Sequence, residues 1–198
     1  MDLLQRIQRW YTINCNGDWE HGYPISITTV DNPGWAVTIP LQDTCLQNAS
    51  MDYILIERTT TNWVGYSVQD GAFEGNGGAE NLSEILTYFL DTFLPLHLDH
   101  DCTIEIGLPV IGYEGRLWLN AEGKMVSEST LEITAIEDYS VTENYLWSNS
   151  ETLEAVNQPG NIPLELKVAF AIGDKVDPIV FQADDNMLRT FLVAPPKK

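Results

Sequence analysis

The segment that most constrains this fold is residues 82–94, where Leu82, Ile85, Leu86, Phe89, Leu90, Phe93 and Leu94 fall at i, i+3, i+4, i+7, i+8, i+11 and i+12. That spacing puts every large apolar side chain on one stripe of an α-helix, and a stripe this long must be covered by another layer. Asn81 is placed as the N-cap, Glu84 three residues on suggests a capping-box pair, and Pro95 is expected to end the helix.

The covering layer is read from the residues before it. Ile25, Ile27 and Thr29 alternate with Ser26, Thr28 and Val30. After Asn32-Pro33-Gly34, a turn sequence, Trp35, Val37, Ile39 and Leu41 alternate again, which is the signature of a hairpin. Two more strands are expected at Tyr53–Arg58 and Trp63–Gln69, giving four antiparallel strands. Ahead of them Leu3, Leu4, Ile7, Trp10 and Tyr11 recur at helical spacing over residues 2–14, and Asn16-Gly17 stops that helix. The Gly-rich stretch Phe73-Glu74-Gly75-Asn76-Gly77-Gly78 reads as a loop. It lacks the Lys-Ser/Thr of a phosphate loop and the strand-to-helix setting of a dinucleotide site.

The second half is expected to be β-rich, with strand-like runs at Thr103–Gly107, Arg116–Asn120, Leu131–Glu137 and Leu164–Ile172, a helix near Ser150–Asn157 and a turn at Asn157-Gln158-Pro159-Gly160. The expected class is therefore α+β: an antiparallel four-stranded sheet with flanking helices in residues 1–95, and residues 101–198 as a second domain or an extension of the same sheet.

Charge narrows the function. The chain carries 29 Asp+Glu against 10 Lys+Arg, a formal net charge of -19. Residues 1–99 carry net -10 and residues 100–198 net -9, so neither half is merely an acidic tail. Such a field repels phosphates and anionic headgroups, which argues against direct binding to nucleic acid or membrane and for a basic protein partner. The start Met1-Asp2-Leu3-Leu4-Gln5-Arg6 has no basic, apolar leader pattern, and no run approaches a membrane span, so a cytoplasmic location is expected. Cys15, Cys45 and Cys102 are odd in number, widely spaced and without a CxxC pair, and are read as reduced thiols.

Chemistry-bearing groups are sparse. Asp18, Glu20 and His21 invite a metal-dependent hydrolase reading, but a strand or loop spaced i, i+2, i+3 does not bring all three to one face and no HExxH completes a ligand set. His97, Asp99, His100 and Asp101 form a second, equally incomplete cluster. No GxSxG occurs, and no Cys has a His that sequence alone pairs with it. Neither a cofactor nor a catalytic residue is expected. Trp10, Trp19, Trp35 and Trp63 are read more as core residues than as binding anchors.

Taken in order, Trp10-Tyr11, Gly17-Asp18-Trp19-Glu20-His21-Gly22-Tyr23, Ile25-Ser26-Ile27, Asp31-Asn32-Pro33-Gly34-Trp35, Val37-Thr38-Ile39, Asn62-Trp63, Phe73-Glu74-Gly75 and Gly77-Gly78 before Asn81-Leu82-Ser83-Glu84-Ile85-Leu86 resemble the immunity protein 53 family of bacterial polymorphic-toxin systems. The resemblance covers about the first 95 residues and departs from the family pattern at Asn16 and Pro24. It implies a cytoplasmic antidote that binds and blocks a cognate toxin, often a nuclease, without catalysis of its own. Joined to the charge argument, it selects Asp18, Glu20, Asp31 and Glu74 as charged contacts, Trp19 and Trp63 as anchors, and His21 beside them. The alternatives are the hydrolase using Asp18, Glu20 and His21, and an acidic DNA-mimicking regulator. The toxin and the oligomeric state are not legible in the sequence.

Overall fold

In a computed structural model of the chain, the described residues are 2–16, 18–111, 117–136, 147–148, 167–181 and 190–193. The chain divides into two compact units, residues 1–102 and 103–198.

The first unit opens with α1 (Leu3–Asn14), capped by Asp2: its carboxylate accepts the Gln5 N–H while the Gln5 side chain accepts the Asp2 N–H. A second, one-turn helix, α2 (Trp19–Gly22), follows. Five strands come next: β1 (Ser26–Val30), β2 (Gly34–Pro40), β3 (Ile54–Glu57), β4 (Trp63–Gln69) and β5 (Ala72–Gly78). They form one antiparallel sheet in the order β1-β2-β5-β4-β3. The expected hairpin is β1–β2, and β3 and β4 occupy the two further expected segments.

The sheet has five strands rather than four, because the glycine-rich stretch expected to loop is β5, its central strand. Gly75 and Gly77 lie between Val37 and Tyr66 and between Trp35 and Val64 in the ladders. Their lack of side chains lets the next helix lie directly on the strand: a Cβ on Gly75 would collide with Ile85 Cγ2. Glycine is a weak strand former, but here close approach of another element decides the residue type.

That helical segment is α3 (Leu82–Tyr88), a π-helical turn (Phe89–Phe93) and α4 (Leu94–His97). Pro95 therefore does not stop it. The Leu94 N–H reaches back to Phe89 C=O, five residues away, and this wider turn carries the chain past the proline, which sits at the start of α4 where its missing N–H costs little. Asn81 holds the N-cap position but makes no side-chain cap. Its amide donates instead to Glu84 Oε2 (2.9 Å) and Asn62 Oδ1 (3.1 Å).

The helices cover one face of the sheet, as their stripe requires. Ile7 and Trp10 of α1, Val37 and Ile39, Val64 and Tyr66, Phe73, and Ile85, Phe89 and Phe93 share one core. Aromatic rings knit it together: Trp10 meets Phe89 edge-on at 5.1 Å, and Phe73 lies 5.2 Å from Phe89 and 5.1 Å from Phe93.

Cys45 and Cys102 form a disulfide with Cα atoms 5.4 Å apart, which corrects the expectation of three reduced thiols; Cys15 is a buried thiol that donates to Tyr11 C=O (3.3 Å). The fold brings them together. The turn after β2 and the exit from α4 meet where the Asp99 N–H donates to Cys45 C=O (2.9 Å), a proximity that a separation of 57 residues conceals.

The second unit is β-rich. Its sheet runs β10 (Lys175–Val176), β8 (Leu131–Ile136), β7 (Leu117–Met125), β6 (Ile104–Pro109), β12 (Thr190–Val193), β11 (Pro178–Phe181), with β9 (Trp147–Ser148) beside β7. Ile106, Leu108, Leu119, Ala121, Leu131 and Ile133 are buried. The strand expected over Leu164–Ile172 is reduced, within described residues 167–172, to a single bridge between Val168 and Val110. Residues 164–166, the helix near Ser150–Asn157 and the turn at Asn157–Gly160 lie outside the described residues.

Candidate functional site

The candidate residues fall into four places. Asp18, Glu20 and His21 belong to the α2 region rather than to a strand or loop. Asn16 Oδ1 accepts the N–H groups of Asp18 (3.0 Å) and Trp19 (2.9 Å), and Glu20 Oε2 accepts the Asn16 N–H (3.1 Å). This reciprocal pattern starts the short helix and turns the Glu20 carboxylate back on the chain, while Asp18 and His21 stay exposed. Among the described residues no three His, Cys, Asp or Glu side chains come close enough to hold a metal. The His97–Asp101 segment follows suit: His97 packs on Phe93 at 4.5 Å, and Asp99 Oδ1 accepts the Asp101 N–H.

Trp19 follows the core reading of its type and not the anchor reading. It is 2% exposed, packs against Trp10 (6.0 Å), Tyr11 (5.9 Å) and Tyr23 (6.2 Å), and donates its indole N–H to Gln42 C=O (2.8 Å). It ties α2 to the end of β2. Beside it the Asp43 carboxylate, hydrogen-bonded to the Tyr23 hydroxyl, raises the phenol's pKa.

Asp31 is exposed in the β1–β2 turn, at the far end of β1 from α2. Five strand residues at ~3.4 Å each make that separation about 17 Å, so the α2 acids and Asp31 are distinct patches. Trp63 and Glu74 share the sheet face turned away from the helices but not one patch: Glu74 pairs with Ser67, four strand residues from Trp63, about 14 Å at ~3.4 Å each. The alternation that buries Val64 and Phe73 under the helices turns these two the other way. Glu74 stands opposite Thr38 and Ser67 and accepts the Thr38 hydroxyl hydrogen bond (2.9 Å). Half-buried Trp63 stands opposite Glu57 of β3.

Near Trp63, Arg58 grips Glu84 with two hydrogen bonds, 2.6 and 3.1 Å, and holds that carboxyl below its usual range. The Asn81 side-chain oxygen in this cluster is buried and without a hydrogen-bond partner.

Sequence reasoning passed over the run Asp52-Tyr53-Ile54-Leu55-Ile56-Glu57. It was read as a strand, and all six residues are exposed. The available signal was four large apolar residues in succession, without alternation, between two acids.

Taken together, these features define a presented surface: an acidic α+β unit with fully exposed strands, β1 and β3, at both ends of its sheet. Residues 4–93 match the family model described as immunity protein 53. Searches of curated proteins and of solved structures find no match.

Proposed function

We propose that the protein is an antidote that binds a cognate bacterial toxin in the cytoplasm and neutralises it by covering its working surface, transforming no substrate itself. The supporting observation is the charge of the unit that carries the family match: residues 1–102 hold 14 Asp+Glu against 3 Lys+Arg. Two of those three cations are engaged in ion pairs, Arg6 with Asp91 (2.7 Å) and Arg58 with Glu84 (2.6 Å). A nuclease must be positive where it grips phosphate, and an acidic protein surface competes for that place. The proposed toxin is accordingly a basic protein, a nuclease in the first instance.

Asp18, Glu20, His21, Asp31 and Glu74 remain the proposed charged and polar contacts and Trp63 the anchor; burial removes Trp19 from the set. Charge of this kind raises association rates by roughly 10 to 1,000-fold, while retention needs a few desolvated anchors. The test is co-expression with candidate toxin domains from the neighbouring genes: growth under one of them is rescued by this protein and not by a vector control. A DNA-mimicking regulator would bind a nucleic-acid-binding protein and rescue nothing.

A further inference from the structure

Among the described residues, no strand pairs with the outer edge of β3. Tyr53, Ile54, Leu55 and Ile56 are 56%, 42%, 51% and 39% exposed, and Asp52 and Glu57 bracket them. The strand is the last of its sheet. The Arg58 N–H donates to Asn62 C=O (3.0 Å), extending the β3–β4 ladder by one pair and fixing its phase. Residues 54, 56 and 58 bond to β4, and the N–H and C=O groups of Leu55 and Glu57 point to the open side. Unpaired main-chain groups beside exposed apolar side chains are a template for one more strand. The opposite edge, β1, is largely Ser and Thr, Ser26-Ile27-Thr28-Thr29-Val30, and offers less to an apolar strand.

We infer that an extended segment of the toxin, apolar in its middle and carrying Lys or Arg at its ends, docks on β3 as a sixth strand of this sheet. The identity of that partner rests on the antidote reading. Charge selects the occupant. Asp52, Glu57 and the acidic excess of residues 1–102 attract a cationic strand, and they repel a second copy of this chain, which would bring the same acids to the same edge. Length limits it: four strand residues span about 14 Å at ~3.4 Å each, so the segment needs only about four to six residues.

The probes are two blocked pentapeptides, Lys-Val-Thr-Val-Lys and Glu-Val-Thr-Val-Glu, added to the full-length protein with amide exchange and chemical shifts read by NMR. The cationic peptide slows exchange at the Leu55 and Glu57 amides, and the acidic one binds at least tenfold more weakly. Leu55→Pro deletes an outward N–H while sparing the bonds to β4, and it weakens the cationic peptide at least tenfold without changing the far-ultraviolet spectrum. Should that variant not fold, Glu57→Lys serves instead: it weakens the cationic peptide and strengthens the acidic one. Protection on β1 instead of β3, equal response to both peptides, no response at β3, or a dimer that Leu55→Pro dissolves would each overturn the inference. Failure of the antidote reading shows separately, as no growth rescue by the unaltered protein.

Discussion

At the scale of single residues, four positions show what supports the fold. Trp19 lies against Trp10 and Tyr23 with its indole N–H engaged, so Trp19→Ala is expected to lower stability by about 3–5 kcal/mol, read by denaturant unfolding. Gly75→Ala forces a Cβ onto Ile85 and should cost about 1–3 kcal/mol in the same assay. Glu84 titrates with a defined sign. Its folded pKa is lowered, chiefly by the Arg58 hydrogen bonds, so its stabilisation is complete above the pKa of an unfolded glutamate and is lost as pH falls through the lowered value. The pair is more than a third exposed, which limits the effect to under about 1 kcal/mol. The stability gap between wild type and Glu84→Gln should therefore be small at pH 7 and close under acid. Tyr66 has the opposite sense: burial, first, pushes its pKa to about 12. Its contribution is full below the pKa of an unfolded tyrosine and fades as pH rises through that value towards 12, which alkaline unfolding measures.

Elements show what was legible in the sequence and what was not. The stripe from Leu82 to Leu94 and the alternation in β2 report burial on one face, and burial is what periodicity encodes, so these segments are legible in the sequence. The strand β5 was missed because its core-facing positions, Gly75 and Gly77, have no side chain with which to show alternation; only the helix lying on them explains their identity. Pro95 misled because a local rule ends helices, while the π-turn before it supplies the room that rule denies. Trp19 was chosen for its surroundings in sequence, and the core that buries it is assembled from α1 and the end of β2, far apart in the chain. The disulfide was invisible for the same reason. It closes a separation of 57 residues, so reduction, or Cys102→Ser, is expected to lower the stability of the first unit by about 2–4 kcal/mol. Chemical unfolding with and without reductant measures this. The run at residues 52–57 lay open in the sequence, but its exposure depends on β3 being a terminal strand, which only the topology gives.

For the whole molecule the governing quantity is charge. A net charge of -19 keeps copies of the chain apart and draws a cationic partner from a distance. Association with the toxin should slow steeply as salt rises, by about tenfold or more between low and near-molar ionic strength, because screening shortens the reach of the field to a few ångströms. Dissociation, governed by buried contacts, should change far less; stopped-flow mixing over a salt series resolves the two. If the protein works by occupancy, as proposed, titrating the toxin's activity with purified protein reads it out. Activity is expected to fall linearly to zero at a fixed whole-number ratio of the two chains. Unchanged activity at excess antidote, or complete loss at a small fraction of an equivalent, would contradict the proposal.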